Sequence, residues 1–218
     1  MIHAVPSRMW YVNNFLVPSI QQQGEADIEI WNDENHDGNL KSFVKSMYKA
    51  AEEEGKGIWH LQDDVLLSKD FMKTAKRLPD DKICNGITIE KGNSEFVGIQ
   101  PVKNRWLSFQ AIYIPTKYAK GFIDWWLFKV VKEGLYIKRR AENKYDDYFF
   151  WKYMGDKHPN DAIINICPNI AQHIDYIIGG TTTNYNYKKM RRSYHWEEET
   201  EEKELERRIK EWQKWEDH

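Results

Sequence analysis

The sequence predicts an α/β fold, in which a mixed, mostly parallel β-sheet is flanked by helices. Short β-rich runs alternate with segments of helical apolar period between residues 2 and 180. Such alternation is typical of strands joined by crossover helices. The length of 218 residues indicates one domain, or one domain with an appendage.

Three strands and two helices are predicted in the first 80 residues. The predicted strands are "IHAVPS", "DIEIWND" (27–33) and "GIWHL" (57–61), since these runs are short, β-rich and bounded by turn-forming residues. A helix is predicted from Asn39, a candidate cap, to Gly55, where a helix would stop. A second helix is predicted after Ser68, whose hydroxyl is a candidate N-cap.

The second half predicts further alternation and then a change of composition. Strands are predicted at 83–89, 96–102, 106–115 and 162–168, and helices at 116–134 and 143–154. After residue 195 the chain becomes highly charged with one apolar stripe. We therefore predict a domain at 1–195 and a C-terminal amphipathic helix at 196–218, packed on the body or on a second copy as a homodimer.

Composition narrows the class of protein. The net charge of −2 gives no global argument for binding nucleic acid or an anionic membrane. Cys84 and Cys167 lie far apart in sequence, which is typical of reduced, buried thiols in a cytosolic protein. The N-terminus lacks the pattern of a signal peptide, and no run approaches the roughly 18 apolar residues of a membrane span. These features predict a cytoplasmic protein without a membrane segment.

Two adjacent carboxylates, Asp63 and Asp64, follow the predicted strand "GIWHL" directly. Ligands collect where the strands of an α/β sheet end, and carboxylate oxygens are what Mg²⁺ and similar hard cations prefer. A divalent cation site is one interpretation of the pair. The alternative is one solvated aspartate and one that caps a turn or helix.

The stretch "HLQDDVLLSKDF" resembles the metal-binding motif of GT-A glycosyltransferases, above all the N-acetylglucosaminyltransferases that initiate or branch complex N-glycans. Their E-D-D triplet corresponds to Gln62, Asp63 and Asp64 in this chain. The apolar pair corresponds to "VL", and the later "DF" is also present. The resemblance implies that Asp64, with Asp63, holds Mn²⁺ or Mg²⁺. Gln62 departs from the pattern, because an acid is expected there, but its amide can contact the ribose or a metal-bound water.

A second stretch, "NKYDDYFFWKYM", resembles the W-D-D-W-M segment of the same inverting enzymes. The resemblance implies that Asp147 is the catalytic base, with Asp146 beside it. A positioned carboxylate can take the proton of a sugar hydroxyl, which is otherwise a poor nucleophile. The alternative is structural, since acids in the first turn of a helix complement its dipole.

Two further stretches resemble GT-A elements around the donor. "NICPNIAQHIDYIIGG" is similar to a closing segment whose histidine, here His173, lies near the diphosphate or metal; a structural histidine is the alternative. "AVPSRMW" is similar to the turn after the first strand that cradles the nucleotide. Pro6 and Ser7 would form that turn, and Arg8 would offer planar, multidentate donors to a diphosphate or uracil.

The remaining expected contacts come from two strand ends. The end of "IEIWNDEN" is where these folds contact base or ribose, so the resemblance implies a role for Asp33. "SFQAIYIP" is similar to the G-x-x-A-Y-x-I element that lines the donor sugar and acceptor, which implies contacts from Gln110 and Ala111. The motifs occur in family order over residues 2–180.

Together these stretches predict a metal-dependent glycosyltransferase that uses a nucleotide-sugar, with UDP as the expected nucleotide, and inverts the anomeric carbon. The alternatives are a nucleotidyltransferase on a related fold and a non-catalytic nucleic-acid-binding protein. A nucleotidyltransferase normally carries a Gly-rich N-terminal loop, and "AVPSRMW" contains no glycine.

The sequence does not determine which molecule accepts the sugar. The basic groups at 137–140 and 187–192 have two interpretations. They are ordinary surface charge, or they bind phosphate groups of the sugar donor or of a DNA acceptor. A hydroxymethylated pyrimidine in phage DNA is one candidate acceptor, with a glycan or protein as the others. An expected setting is the cytoplasm of a bacterium or a phage-infected host.

Overall fold

The computed structural model describes residues 1–35, 38–52, 57–87, 98–103, 109–134, 146–167, 169–178 and 199–216. The two basic groups, at 137–140 and 187–192, lie outside these ranges. The strands are β1 (Ile2–Ala4), β2 (Ile30–Asn32), β3 (Ile58–Gln62), β4 (Val65–Leu67), β5 (Cys84–Asn85), β6 (Gly98–Lys103), β7 (Ala111–Ile114), β8 (Ala162–Cys167) and β9 (Ala171–His173).

Within the described ranges, seven strands form one mixed sheet in the order β2-β1-β3-β7-β5-β8-β6. β1 pairs in parallel with β2 and β3, and β5 pairs in parallel with β8. β7 is antiparallel to β3 and β5, and β6 is antiparallel to β8. Five strands therefore run in one direction, and their carboxyl ends meet at one edge of the sheet. The predicted α/β class with a mostly parallel sheet is confirmed.

Helices cover the sheet on both faces. They are α1 (Met9–Tyr11), α2 (Val17–Gln21), α3 (Asn39–Glu52), α4 (Phe71–Ala75), α5 (Thr116–Trp126), α6 (Asp146–Lys157), α7 (Asp175–Ile178) and α8 (Glu199–Glu216). A 3₁₀ turn, Pro6–Arg8, precedes α1, and a π-helical segment, Val12–Leu16, joins α1 to α2. Of the helices described, none is long and apolar enough to cross a bilayer.

The core has two halves because side chains alternate across each strand. In β7, Ala111 and Tyr113 belong to the half that includes Leu16 and the apolar stripe of α8. Ile112 and Ile114 belong to the other half, where α3, α5 and α6 pack. The second half is rich in aromatic rings in edge-on contact, among them Phe43, Phe109, Phe122 and Phe150. Many of the aromatic residues are therefore core residues.

The predicted elements around the candidate site agree with the structure in kind and differ in length. The helix predicted at 116–134 is α5 followed by a π-helical segment, and Gly134 ends it with a positive φ of 64°. The N-cap prediction for Ser68 is wrong. Its hydroxyl bonds to none of the described residues, and α4 begins three residues later at Phe71. The short strands β4 and β9 were not expected, and they matter most for the site.

Gly57, just before β3, offers a sharp test of this packing. Its φ is 141°, and an added Cβ would lie 2.4 Å from the carbonyl oxygen of Ile114 and 2.6 Å from Cα of Pro115. We expect Gly57→Ala to lower the free energy of unfolding by about 2–4 kcal/mol, because backbone atoms cannot move aside cheaply. Gly155→Ala is the control, since no described atom outside the local backbone of its own helix lies within 4 Å of the added Cβ. Equal urea midpoints for the two variants would contradict the structure.

Candidate functional site

The candidate site lies at the carboxyl ends of the parallel strands. β1 ends at Ala4, and the following turn carries Arg8. β2 ends at Asn32, just before Asp33, and β3 ends at Gln62, just before Asp63. Since the three strands are adjacent and parallel, their following residues gather at one edge. This is where open α/β sheets bind ligands.

Arg8 joins the two aspartates. Its Nη1 donates to Oδ1 of Asp63 at 2.8 Å and to Oδ2 of Asp64 at 3.0 Å. All three residues are buried, with Arg8 8% exposed, Asp63 4% and Asp64 8%. The backbone N–H of Val5 donates to Oδ2 of Asp63 at 2.7 Å. One cation and one amide thus compensate two buried carboxylates, as burial of charge requires.

His173 reaches the pair through the small second sheet. β4 follows the aspartates and pairs antiparallel with β9, which places Val65 opposite His173. Nε2 of His173 donates to Oδ2 of Asp64 at 3.1 Å. The backbone N–H of Ile174 donates to the carbonyl of Asp64 at 2.8 Å, and the hydroxyl of Tyr11 to the carbonyl of Val65 at 2.7 Å. These bonds fix the turn that carries the aspartates.

The pKa values of the two aspartates shift in opposite directions. Burial raises the pKa of Asp64, but His173 and Arg8 outweigh it and hold that pKa far below its ordinary value. For Asp63, burial and the neighbouring Asp64 raise the pKa to about 6, against the effects of Arg8 and the Val5 amide. Asp64 is therefore the firmly charged member of the pair, which suits a group that binds cations.

The carboxylate oxygens of this pair are suitable ligands for a hard divalent cation at Asp64. Oδ1 of Asp64 is buried and accepts no hydrogen bond from any described residue, so it is available as an oxygen ligand. Both oxygens of Asp63 are engaged, by Arg8 and Val5. Among the described residues, no three His, Cys, Asp or Glu side chains come together as a metal-binding group. A cation here would need oxygens from its ligand or from water to complete its shell, which is usual for Mg²⁺.

Asp33 lies at the same edge and is 3% exposed. The N–H of Gly38 donates to its Oδ2 at 2.9 Å, and Nε2 of His3 lies 3.8 Å from the same oxygen. Burial lowers the pKa of His3, although Asp33 and Asp64 both act to raise it. Burial thus disfavours the charged form of the His3 imidazole at this position. A contact of Asp33 with a nucleotide stays a prediction.

Gln62 and Gln110 are neighbours on adjacent strands. The N–H of Gln62 donates to the carbonyl of Gln110 at 2.9 Å, and Ala111 lies opposite Leu61 with no exposed surface. Gln62 itself is 7% exposed. The two residues therefore lie on the β7 side of the sheet edge that carries the aspartates. In the turn after β1, the residues Pro6–Ser7 are exposed beside Arg8.

Asp146 and Asp147 are the first residues of α6. α6 runs antiparallel to α5: the ring of Phe149 packs on Trp126 near their shared end, and that of His158 packs on Tyr118 at the other. Because α5 starts after the antiparallel strand β7, the first turn of α6 lies toward the edge that carries Asp64. The side chains of the two aspartates lie outside the described part of the structure, so their roles stay predictions.

The C-terminal helix α8 packs on the body of the same chain. Leu205 and Ile209 are buried in the core, and Trp212 stacks on Trp10 with 4.8 Å between ring centroids. Nε2 of Gln172 donates to Oε1 of the buried Glu202 at 3.0 Å. Since Gln172 precedes His173 in β9, α8 helps to hold the strand that reaches Asp64. A homodimer through this helix stays a prediction.

Several residues of the site were missed from sequence. His3 lies in the first predicted strand, whereas Tyr11 lies in a helical segment, residues 9–21, that was not predicted. The backbone N–H of Val5 carries no sequence signal, because any residue except proline supplies it. Of these features, only β4 has a recognisable sequence signal. The run Val65–Leu67, directly after the aspartates, is short, apolar and compatible with a strand.

Comparison with known proteins leaves this geometry as the main guide to function. No protein-family model matches the chain, and no curated protein matches it significantly.

Proposed function

We propose that this chain is a metal-dependent glycosyltransferase of the GT-A type. It moves a sugar from a nucleotide-sugar, with UDP as the nucleotide, to an acceptor hydroxyl with inversion at the anomeric carbon. The observation that carries the proposal is the convergence of Arg8, Asp63, Asp64 and His173 at the carboxyl edge of a mostly parallel sheet. These four come from three of the stretches that resemble GT-A motifs.

Each residue has a defined part in this proposal. Asp64, with Asp63, would hold Mn²⁺ or Mg²⁺; Oδ1 of Asp64 is buried and has no hydrogen-bond partner among the described residues. His173 keeps the Asp64 carboxylate charged and oriented. When bound, the metal supplies Lewis-acid neutralisation of the departing diphosphate. Arg8 adds a second positive group at the same end of the site.

Asp147 is the proposed base. It would take the proton of the acceptor hydroxyl while that oxygen forms a bond to the anomeric carbon and the carbon–oxygen bond to the diphosphate breaks. The nucleoside diphosphate leaves with the electron pair of the broken bond. Attack from the face opposite the leaving group gives inversion. The acceptor class we propose to test first is a hydroxymethylated pyrimidine in DNA.

A donor screen tests the proposal. Purified protein is incubated with Mn²⁺ and a panel of UDP-sugars, with and without hydroxymethylated DNA, and free UDP is measured. We expect release of UDP from at least one donor, abolished by EDTA and increased by the true acceptor. Release of pyrophosphate from nucleoside triphosphates, with no release of UDP from any sugar donor, would instead favour a nucleotidyltransferase.

A further inference from the structure

Arg8 binds two carboxylates through a single guanidinium nitrogen. Nη1 lies 2.8 Å from Oδ1 of Asp63 and 3.0 Å from Oδ2 of Asp64. No other hydrogen bond of the guanidinium is found among the described residues, and its Nε is buried without a partner. Arg8 therefore sits between the aspartates with most of its donors unused.

That position is the one a cation shared by the two aspartates would take. Metal ions of this class lie about 2.0–2.2 Å from their oxygen ligands, closer than the 2.8 Å and 3.0 Å of Nη1. Two positive groups cannot both occupy the space between Asp63 and Asp64. A metal ion that uses both carboxylates must therefore displace Nη1.

A displaced guanidinium needs a new anion, because an unpaired buried charge is costly. Arg8 is 8% exposed, and the other described carboxylate at this edge, Asp33, already accepts from Gly38 and faces His3. A diphosphate bound to the metal would bring anionic oxygens within reach of the same edge. Its geometry suits the fork of donors that Arg8 has left unused.

We infer that Arg8 is a resident counter-cation of the aspartate pair, which a divalent metal ion displaces and which then binds the diphosphate of the donor. The inference rests on the proposed function for the identity of the diphosphate, but not for the competition between Arg8 and the metal. Arg8 thereby couples the two ligands. It opposes the metal when the nucleotide is absent and favours the metal–nucleotide pair when both are present.

Mn²⁺ binding in the absence of nucleotide tests the competition. Free Mn²⁺ is measured by electron paramagnetic resonance with wild type, Arg8→Gln and Arg8→Lys, after thermal melts confirm folding. We expect Arg8→Gln to bind Mn²⁺ more tightly than wild type, by roughly 5- to 150-fold, the usual range of coupling between sites. Arg8→Lys keeps the charge and is expected to stay within about threefold of wild type. Unchanged or weaker binding by Arg8→Gln would overturn the inference.

Repeating the Mn²⁺ titrations with UDP present tests the transfer of Arg8 to the diphosphate. In wild type, UDP is expected to raise Mn²⁺ affinity by a larger factor than in Arg8→Gln, because only wild type has a guanidinium to transfer from the aspartates to the diphosphate. An equal factor in the two proteins would contradict the transfer, even if Arg8→Gln binds Mn²⁺ more tightly.

A second measurement uses the wild-type chain and does not depend on a variant that folds. The side-chain NMR signals of ¹⁵N-labelled arginine are followed while diamagnetic Mg²⁺ is added. We expect the Nε–Hε signal of Arg8, assigned with Arg8→Lys, to shift as Mg²⁺ saturates the site. Saturation that leaves this signal in place would show that the metal binds Oδ1 of Asp64 alone, and the inference would fail.

These outcomes separate the inference from the proposed function. If wild type binds Mn²⁺ and releases UDP in the donor screen, but Arg8→Gln gains no Mn²⁺ affinity, then only the role of Arg8 is wrong. If Arg8→Gln gains Mn²⁺ affinity but no UDP-sugar is turned over, the competition stands and the glycosyltransferase proposal fails.

Discussion

Asp64→Asn is expected to weaken Mn²⁺-dependent binding of UDP by at least about 100-fold, since it removes the charge of the proposed metal ligand. Asp64 carries the only buried carboxylate oxygen without a partner among the described residues, and its pKa is held low by His173 and Arg8. Asparagine keeps the shape of the side chain but cannot supply an anionic oxygen. Isothermal titration of UDP with and without Mn²⁺ measures the effect.

Asp70→Asn is the matched control for this experiment. Asp70 lies in the same segment of the chain, but its side chain is 60% exposed and forms a surface ion pair with Lys73. We expect Asp70→Asn to bind UDP and Mn²⁺ as wild type does. Wild-type binding by Asp64→Asn would remove Asp64 from the metal site and with it the metal-dependent mechanism.

Asp147→Asn is expected to lower turnover by about 10²–10⁴-fold, the usual contribution of a positioned general base. Binding of UDP and Mn²⁺ should stay within about threefold of wild type, because α6 belongs to the helix layer and the proposed metal ligands lie on β3 and its turn. The two readouts together distinguish loss of a base from loss of a binding group. Steady-state release of UDP and calorimetry supply them.

Asp146→Asn provides the neighbouring control for Asp147. Both residues sit in the first turn of α6, so both substitutions remove the same favourable interaction with the helix dipole. If this dipole interaction were their only role, the two variants would lose similar stability and similar activity. A much larger loss of turnover in Asp147→Asn supports the base. A larger loss in Asp146→Asn would move that role one residue earlier.

Local patterns in the sequence determined the kind and order of most described elements, although the helical segment at 9–21 and the strands β4 and β9 were not predicted. The β-rich run at 162–168 is β8, and the apolar period after Asn39 is α3. These elements are predictable because alternation in strands and the 3.6-residue period in helices are properties of neighbouring residues. Placement of Arg8, Asp33 and Asp63 after parallel strands was also predictable, since the carboxyl ends of such strands share an edge.

The partners of the aspartates could not be predicted from the sequence, because they come from distant parts of the chain. Arg8 is 55 residues from Asp63, and His173 is 109 residues from Asp64. The sequence indicated that all four residues belong to the site, but it did not show which atoms would meet. The pairing of β4 with β9 decided the contact of His173, and no local period encodes such pairing.

The sequence by itself thus determined an α/β chain with two aspartates at the end of a buried strand. What compensates those carboxylates was decided by tertiary structure, because burial in the assembled sheet makes an unpaired charge too costly to keep. Arg8 and the Val5 amide compensate Asp63, while Arg8 and His173 compensate one oxygen of Asp64. The other oxygen of Asp64 has no partner in the described structure, and it is the atom on which the proposed chemistry depends.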